Sequence, residues 1–302
     1  RGIPETMLRR VGARAAAAAL VSFAATTTIS EPGRPPRGDG TGRSPFSYRE
    51  LDAAILRRRE QERALADYVN TISPMLNAAR SEMAHAHRVG DKNGVERAQQ
   101  RFSRLASLAQ AETAALTWGS ADGERKRKEF VERFGCVGWT DAAVTEIVKH
   151  SPLIEIGAGK GQWQRELANA GADIVAFDNM ESVPGGMREP SGGVFGFGKR
   201  DVRKKQNTFN GVVASGDENA LTGRRILKQN RTLLVVFPEG DLLLKCLGKY
   251  KGDVVLFVGE GRGGVNGGER VFDCLEENFK VEKVIEVAPF GDGHERLWVL
   301  RR

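Results

Sequence analysis

No stretch of this 302-residue chain approaches the ~20 consecutive apolar residues that a helix needs to cross a bilayer. The longest apolar run, Ala15 to Ala25, is alanine-rich and broken by Ser22. Cysteine is scarce: Cys136, Cys246 and Cys274 lie far apart with no Cys-x-x-Cys pair, which argues against a disulfide framework and against a structural zinc site. The four histidines, His85, His87, His150 and His294, show no metal-site spacing either. Acidic residues are missing altogether from Met7 to Ser30, where Arg9, Arg10 and Arg14 stand among alanine, serine and threonine. That pattern fits an organellar transit peptide, most simply a mitochondrial one, with a plastid signal as the alternative.

The net charge of +7 is unevenly spread. Residues 1–45 hold seven arginines against three acidic residues, whereas 151–302 hold 22 basic and 21 acidic residues. A near-neutral main domain does not indicate nucleic-acid binding, which normally places a basic face on the working domain. Residues 1–30 are therefore read as a targeting segment and the Pro/Gly-rich 31–45 as a linker. Residues 46–118 carry apolar residues at helical spacing and read as a helical hairpin, with a kink or break expected at Pro74 and a turn at Gly90–Gly94. Residues 119–302 read as the main domain.

Leu153-Ile154-Glu155-Ile156 is a short apolar strand followed at once by Gly157-Ala158-Gly159-Lys160-Gly161. A helix from Gln162 to Ala170 follows, then a second strand, Ile174 to Phe177, tipped by Asp178. Glycines allow a tight turn and close approach of backbone to ligand, and an acid at the second strand's tip can accept from ribose hydroxyls. Further strands are expected at 210–214, 232–237 and 253–258, with two more at 281–287 and 296–300 joined by Gly291-Asp292-Gly293. The stretch Met180 to Thr208 reads as a long loop, either a substrate lid or a partner-binding excursion.

Glu155-x-Gly-x-Gly-x-Gly, with Asp178 17 residues after the last glycine, resembles the first motif of class I S-adenosylmethionine (SAM)-dependent methyltransferases. The resemblance implies an α/β fold with a Rossmann-like seven-stranded sheet ending in an antiparallel hairpin, here preceded by the α-helical hairpin. It also implies SAM as cofactor, held by Glu155, Gly157, Ala158, Gly159, Gly161, Asp178, Asp217 and Phe237. More narrowly, residues 130–301 resemble a little-characterised methyltransferase-like family of plants, fungi and protists. The motifs are Ile154 to Gly159 with Trp163, Pro238, Gly252 to Val255 leading to Val258-Gly259-Glu260, and the closing hairpin. That family usually has a second proline after Pro238, where this chain has Glu239.

Methyl transfer is an in-line displacement that needs a placed acceptor and, for weak nucleophiles, a base. The acids at the ends of the fourth and fifth strands, Glu239, Asp241 and Glu260, are the catalytic candidates. Phe237-Pro238-Glu239-Gly240 lacks the Asn/Asp-Pro-Pro-aromatic pattern that holds an amino group, so amino-methylation of adenine or glutamine is not expected. Two function classes remain. One is an organellar methyltransferase with an unidentified acceptor. The other is an inactive methyltransferase-fold subunit of a large organellar assembly, such as the mitochondrial ribosome, engaged through the helical hairpin.

Overall fold

The computed structural model describes residues 44–120, 122–180 and 211–302. The expected targeting segment, most of the linker and nearly all of the 180–208 loop lie outside these residues. Seven strands follow in chain order: β1 (Leu153–Ile156), β2 (Ile174–Asp178), β3 (Ala214–Ser215), β4 (Thr232–Val236), β5 (Val254–Gly259), β6 (Lys280–Glu286) and β7 (Arg296–Arg301). They form one sheet in the order β3-β2-β1-β4-β5-β7-β6. β1 to β5 pair in parallel, and β7 runs antiparallel to both β5 and β6. This is the Rossmann-like methyltransferase sheet that the resemblance implied, closing hairpin included.

Parallel strands need cover on both faces, which is why β1, β4 and β5 read as nearly unbroken apolar runs. Successive side chains alternate between the two faces. Ile154, Leu233, Val235, Val255 and Phe257 pack in one core with α7 (Leu242–Lys249) and α8 (Glu269–Asn278). Leu153, Leu234, Leu256 and Val258 pack in the other with α4 (Asp141–Val148) and α5 (Gln162–Asn169). Full burial of each such side chain contributes about 1.5–3 kcal/mol. At the amino ends of the strands, Arg231 donates to the Leu153 and Asp173 carbonyls at 2.9 and 3.1 Å and grips the Asp173 carboxylate. The third strand, expected at 210–214, is only the two residues of β3. It is followed by a 3-10 turn (Glu218–Thr222) and a short helix, α6 (Arg224–Gln229), neither of which was expected.

The remaining helices are α1 (Arg49–Arg88), α2 (Lys92–Trp118) and α3 (Gly123–Phe134). Of the kink or break expected at Pro74, the break does not occur: α1, 40 residues long, runs through it. Proline removes the hydrogen bond to the carbonyl of residue 70, but Asn70 and Pro74 are both exposed, so water can satisfy that carbonyl. Asp91 caps α2 by accepting from Gly94 N at 2.9 Å, and Gly119 ends it in the left-handed conformation. Arg101 reaches back to Glu82, and Arg80 lies over the Phe102 ring, which pairs α1 with α2 as the expected hairpin.

Contacts divide the chain into a sheet unit, residues 44–51 with 131–289 and 293–302, and a helical unit, 52–130 with 290–292. The division expected at 118/119 therefore changes in two places. Residues 123–130 belong with the helical unit. Residues 44–51 belong with the sheet unit, because Phe46 and Leu51 are fully buried and Phe46 joins the α7/α8 core.

Candidate functional site

The strand order reverses between β1 and β4, and at such a switch point the loops leaving the carboxyl ends of the strands diverge and open a crevice. The loop leaving β1 turns through Gly157, Gly159 and Gly161, all at positive φ. At Gly161 (φ +79°) a Cβ would lie 2.7 Å from Val213 Cγ2 and 3.0 Å from Gly211 Cα, so the requirement there is close packing. At Gly159 (φ +55°) a Cβ would meet nothing within 4 Å among the described residues, so its bare face looks into open space there.

The loop's own N–H groups are largely spent on holding its shape. Gly157 N and Ala158 N both donate to the Phe177 carbonyl, at 2.9 and 3.1 Å, and Gly161 N donates to Ala158 O at 2.9 Å. Gly159 N donates to Asp178 Oδ2 at 2.8 Å, while Met180 N donates to Asp178 Oδ1 at 2.7 Å. Asp178 thus straps the glycine loop to the tip of β2. Its burial pushes the carboxyl pKa up, and the two amides pull it back down.

Behind the loop lies a small cavity of about 70 Å³. Glu155 and the glycine loop form one side, Phe134 and Cys136 come from the α3–α4 connection, Trp163 from α5, and Phe237 follows β4. Two side chains fix the connection over the loop: Trp163 Nε1 donates to Val137 O at 2.9 Å, and Gln162 Nε2 to Val131 O at 3.0 Å. Trp139 stacks edge-on against both Phe134 and Trp163 and stiffens the wall. Glu155 is only 1% exposed, and its Oε2 has no hydrogen-bond partner. Burial, aided by the Asp178 charge, pushes its pKa up to about 8.

Phe237 has φ +48°, the left-handed region that is unusual for a bulky residue. It is held there from both sides. Its N–H donates to Val258 O at 2.7 Å, and the next carbonyl, Pro238 O, accepts from Asn266 Nδ2. Asn266, fully buried, also accepts from Glu260 N at 3.0 Å and so ties the ends of β4 and β5 together.

Of the residues expected to hold a cofactor, Glu155, Gly157, Ala158, Gly159 and Phe237 line the one cavity. Gly161 and Asp178 shape its floor from behind. Asp217 stands apart: its carboxylate caps the 3-10 turn by accepting from Asn219 N and Asn219 Nδ2, which lowers its pKa. The three acids expected to be catalytic are not brought into the cavity. Glu239 is exposed beyond Pro238. Asp241 precedes α7 and pairs with Lys245 at 2.9 Å. Glu260 is fully buried and accepts from Val265 N and His294 N, at 3.0 and 3.2 Å, so it works as an anchor for two loops.

Sequence reasoning did not pick out Phe134, Cys136, Lys160 or Gln162 as wall residues. Lys160 and Gln162 sit within and next to the glycine motif and carried a signal; Phe134 and Cys136 arrive from a connection with no motif of its own. A wider hollow of about 360 Å³ on the helical hairpin, edged by Glu82, His85, Arg97 and Arg101, is open and charged, and no strand end contributes to it. Among the described residues no group of three His, Cys, Asp or Glu could hold a metal ion.

No protein-family model matches the chain, and no curated protein matches it. Among solved structures it is similar to a point mutant of MtNAS, with TM-score 0.37 and 15% identity over 85% of this chain and 99% of that one. It is also similar to the protein of a structure on conversion of a disulfide bond into a thioacetal group during echinomycin biosynthesis, with TM-score 0.33 and 13% identity over 59% and 91%. Human N-acetylserotonin methyltransferase in complex with SAM gives TM-score 0.29 and 14% identity over 79% and 69%. The strand order β3-β2-β1-β4-β5-β7-β6 is what defines the fold.

Proposed function

We propose that the sheet unit binds SAM across the carboxyl ends of β1 and β4 and transfers its methyl group to an acceptor that awaits identification. The observation that carries this is how the glycine loop spends its amides. A dinucleotide site keeps those N–H groups free for a pyrophosphate. Here the amides of Gly157, Ala158, Gly159 and Gly161 are bonded internally, and a buried carboxyl, Glu155, faces the cavity in their place. Such a wall offers a phosphate no free N–H from these four residues and suits a ligand that carries an ammonium, with which the carboxyl can pair.

The residues fit that ligand in parts. A cavity of about 70 Å³ is well below the ~300–1,000 Å³ of a whole small-molecule site, so it takes only the amino-acid end. The bare face of Gly159 leaves room for the ligand to pass. The Asp178 carboxylate keeps lone pairs for ribose hydroxyls beyond the two amides it already accepts. The bound cofactor supplies an electrophilic methyl on sulfur. The chain's own part is to fix that methyl in line with the acceptor and, through Phe134, Trp163 and Phe237, to keep water from the enclosed end.

A second reading, an inactive subunit of a large organellar assembly, is favoured by the position of Glu239, Asp241 and Glu260, which all lie outside the cavity. Delivery to a mitochondrion is part of either reading and rests on the acid-free stretch from Met7 to Ser30. Calorimetry on the full chain separates them: SAM and S-adenosylhomocysteine are expected to bind, and NAD is not. Asp178→Ala removes both the ribose acceptor and the strap on Gly159, so SAM affinity should fall roughly ten- to a hundred-fold. Tight NAD binding, or SAM affinity unchanged in Asp178→Ala, would refute the assignment. A chain that binds no SAM and co-migrates with a large particle on a sucrose gradient would establish the subunit reading.

A further inference from the structure

Among the described residues, Glu155 is the buried acid at the cavity with no bond to stabilise a negative charge. Its Oε2 is unpartnered, and the side chain makes no hydrogen bond or ion pair among the described residues. The groups facing it from each surrounding element do not change this. β2 contributes Asp178, of the same charge sign; α5 contributes Gln162 and Trp163 and the chain after β4 contributes Phe237, all neutral; the α3–α4 connection contributes the Cys136 thiol. Lys160 borders the same cavity but forms no ion pair with Glu155. An isolated carboxylate in such surroundings costs many kcal/mol, and a group so placed takes up a proton instead.

We infer that ligand entry at this cavity is a proton exchange: the ammonium of the cofactor's amino-acid end takes the place of the proton on Glu155, which departs to solvent. The inference rests on the SAM reading above. Charge balances across the step, because a neutral acid and a cation become a carboxylate–ammonium pair plus one released proton. No bond other than O–H breaks. The ligand-free acid, with its pKa of about 8, is neutral at pH 7, whereas the acid of the complex is ionised. The complex therefore binds fewer protons than its separated partners, and raising the pH favours binding. Between pH 6 and 7 affinity should rise by roughly eightfold. The ligand's own amine, with a pKa of ~8, is still about nine-tenths charged at pH 7.

The test is calorimetry of SAM binding to the full chain at pH 6.5–7.0 in phosphate and in Tris, whose ionisation heats differ widely. The expected result is release of nearly one proton per SAM bound. Glu155→Gln, which keeps the size and removes the exchangeable proton, should bind SAM with no release and with affinity independent of pH. Methylthioadenosine, which lacks the ammonium, should bind the parent without release. SAM binding with identical heats in both buffers overturns the inference and leaves the SAM reading standing. No SAM binding at millimolar concentration overturns both. A direct readout needs no ligand: the Glu155 δ-carbon should titrate near pH 8 by carbon NMR, and a resonance already ionised at pH 6 overturns the inference by itself.

Discussion

Gly159→Val should lower SAM affinity by at least ~100-fold, a loss of ~2.7 kcal/mol, while the protein still melts cooperatively. The two halves of that expectation come from two facts about one residue. Among the described residues a Cβ at Gly159 meets nothing within 4 Å, so a valine there starts into open space and projects towards the place left for the ligand. The backbone stays at φ +55°, which costs an L-residue about 1–2 kcal/mol. In a domain of this size that moves the melting temperature by roughly 2–8 °C. Gly161→Val is the contrasting case, since its Cβ would press on Val213 and on the backbone of Gly211. It should damage the fold along with binding. Undiminished SAM binding in Gly159→Val would show that the ligand does not pass over this loop.

Phe46→Ala should be the more damaging change to stability, by about 3–5 kcal/mol. Phe46 is fully buried, with its ring 5.4 Å from Phe272 and 5.1 Å from Trp298, centroid to centroid. Its carbonyl accepts from Arg262 N at 3.1 Å. The segment is fastened on either side as well: Ser44 hydroxyl donates to Glu276, and Tyr48 hydroxyl donates to the His294 carbonyl. At ~2–4 °C per kcal/mol, a melt by circular dichroism should shift down by roughly 6–20 °C. The same packing predicts that residues 119–302 alone lack a cooperative melt, whereas a chain beginning before Ser44 retains one. A soluble, cooperatively melting 119–302 fragment would mean that the Phe46 socket closes without its occupant.

That segment also marks where the sequence stopped being legible. β1, β4 and β5 could be read directly, because strands covered on both faces must be apolar along their whole length. The glycine loop could be read because left-handed turns and close approaches exclude side chains. Phe46 could not: it stands beside a Pro/Gly-rich linker, and nothing local shows that its socket lies between Phe272 and Trp298, more than two hundred residues on. Glu260 misled for a related reason. An acid at the end of a parallel strand reads as chemistry, but its partners, Val265 N and His294 N, come from loops whose meeting only the tertiary fold determines. At Pro74 the expected break is absent: propensity weighs the lost hydrogen bond without knowing that Asn70, whose carbonyl loses its partner, is exposed.

The left-handed backbone at Phe237 bears on how the cavity opens. A bulky residue in that region holds about 1–2 kcal/mol of strain. Only its surroundings keep it there, through the bonds to Val258 O and from Asn266 Nδ2. When those bonds break, the strain is released, so a local opening at the end of β4 needs less free energy than the same opening in an unstrained strand. Amide exchange should register this as an early-exchanging Phe237 N–H set against slowly exchanging neighbours at Leu234 and Val235. The stiff middle of the sheet and a readily opened point then lie within three residues of each other, and that point forms part of the cavity wall.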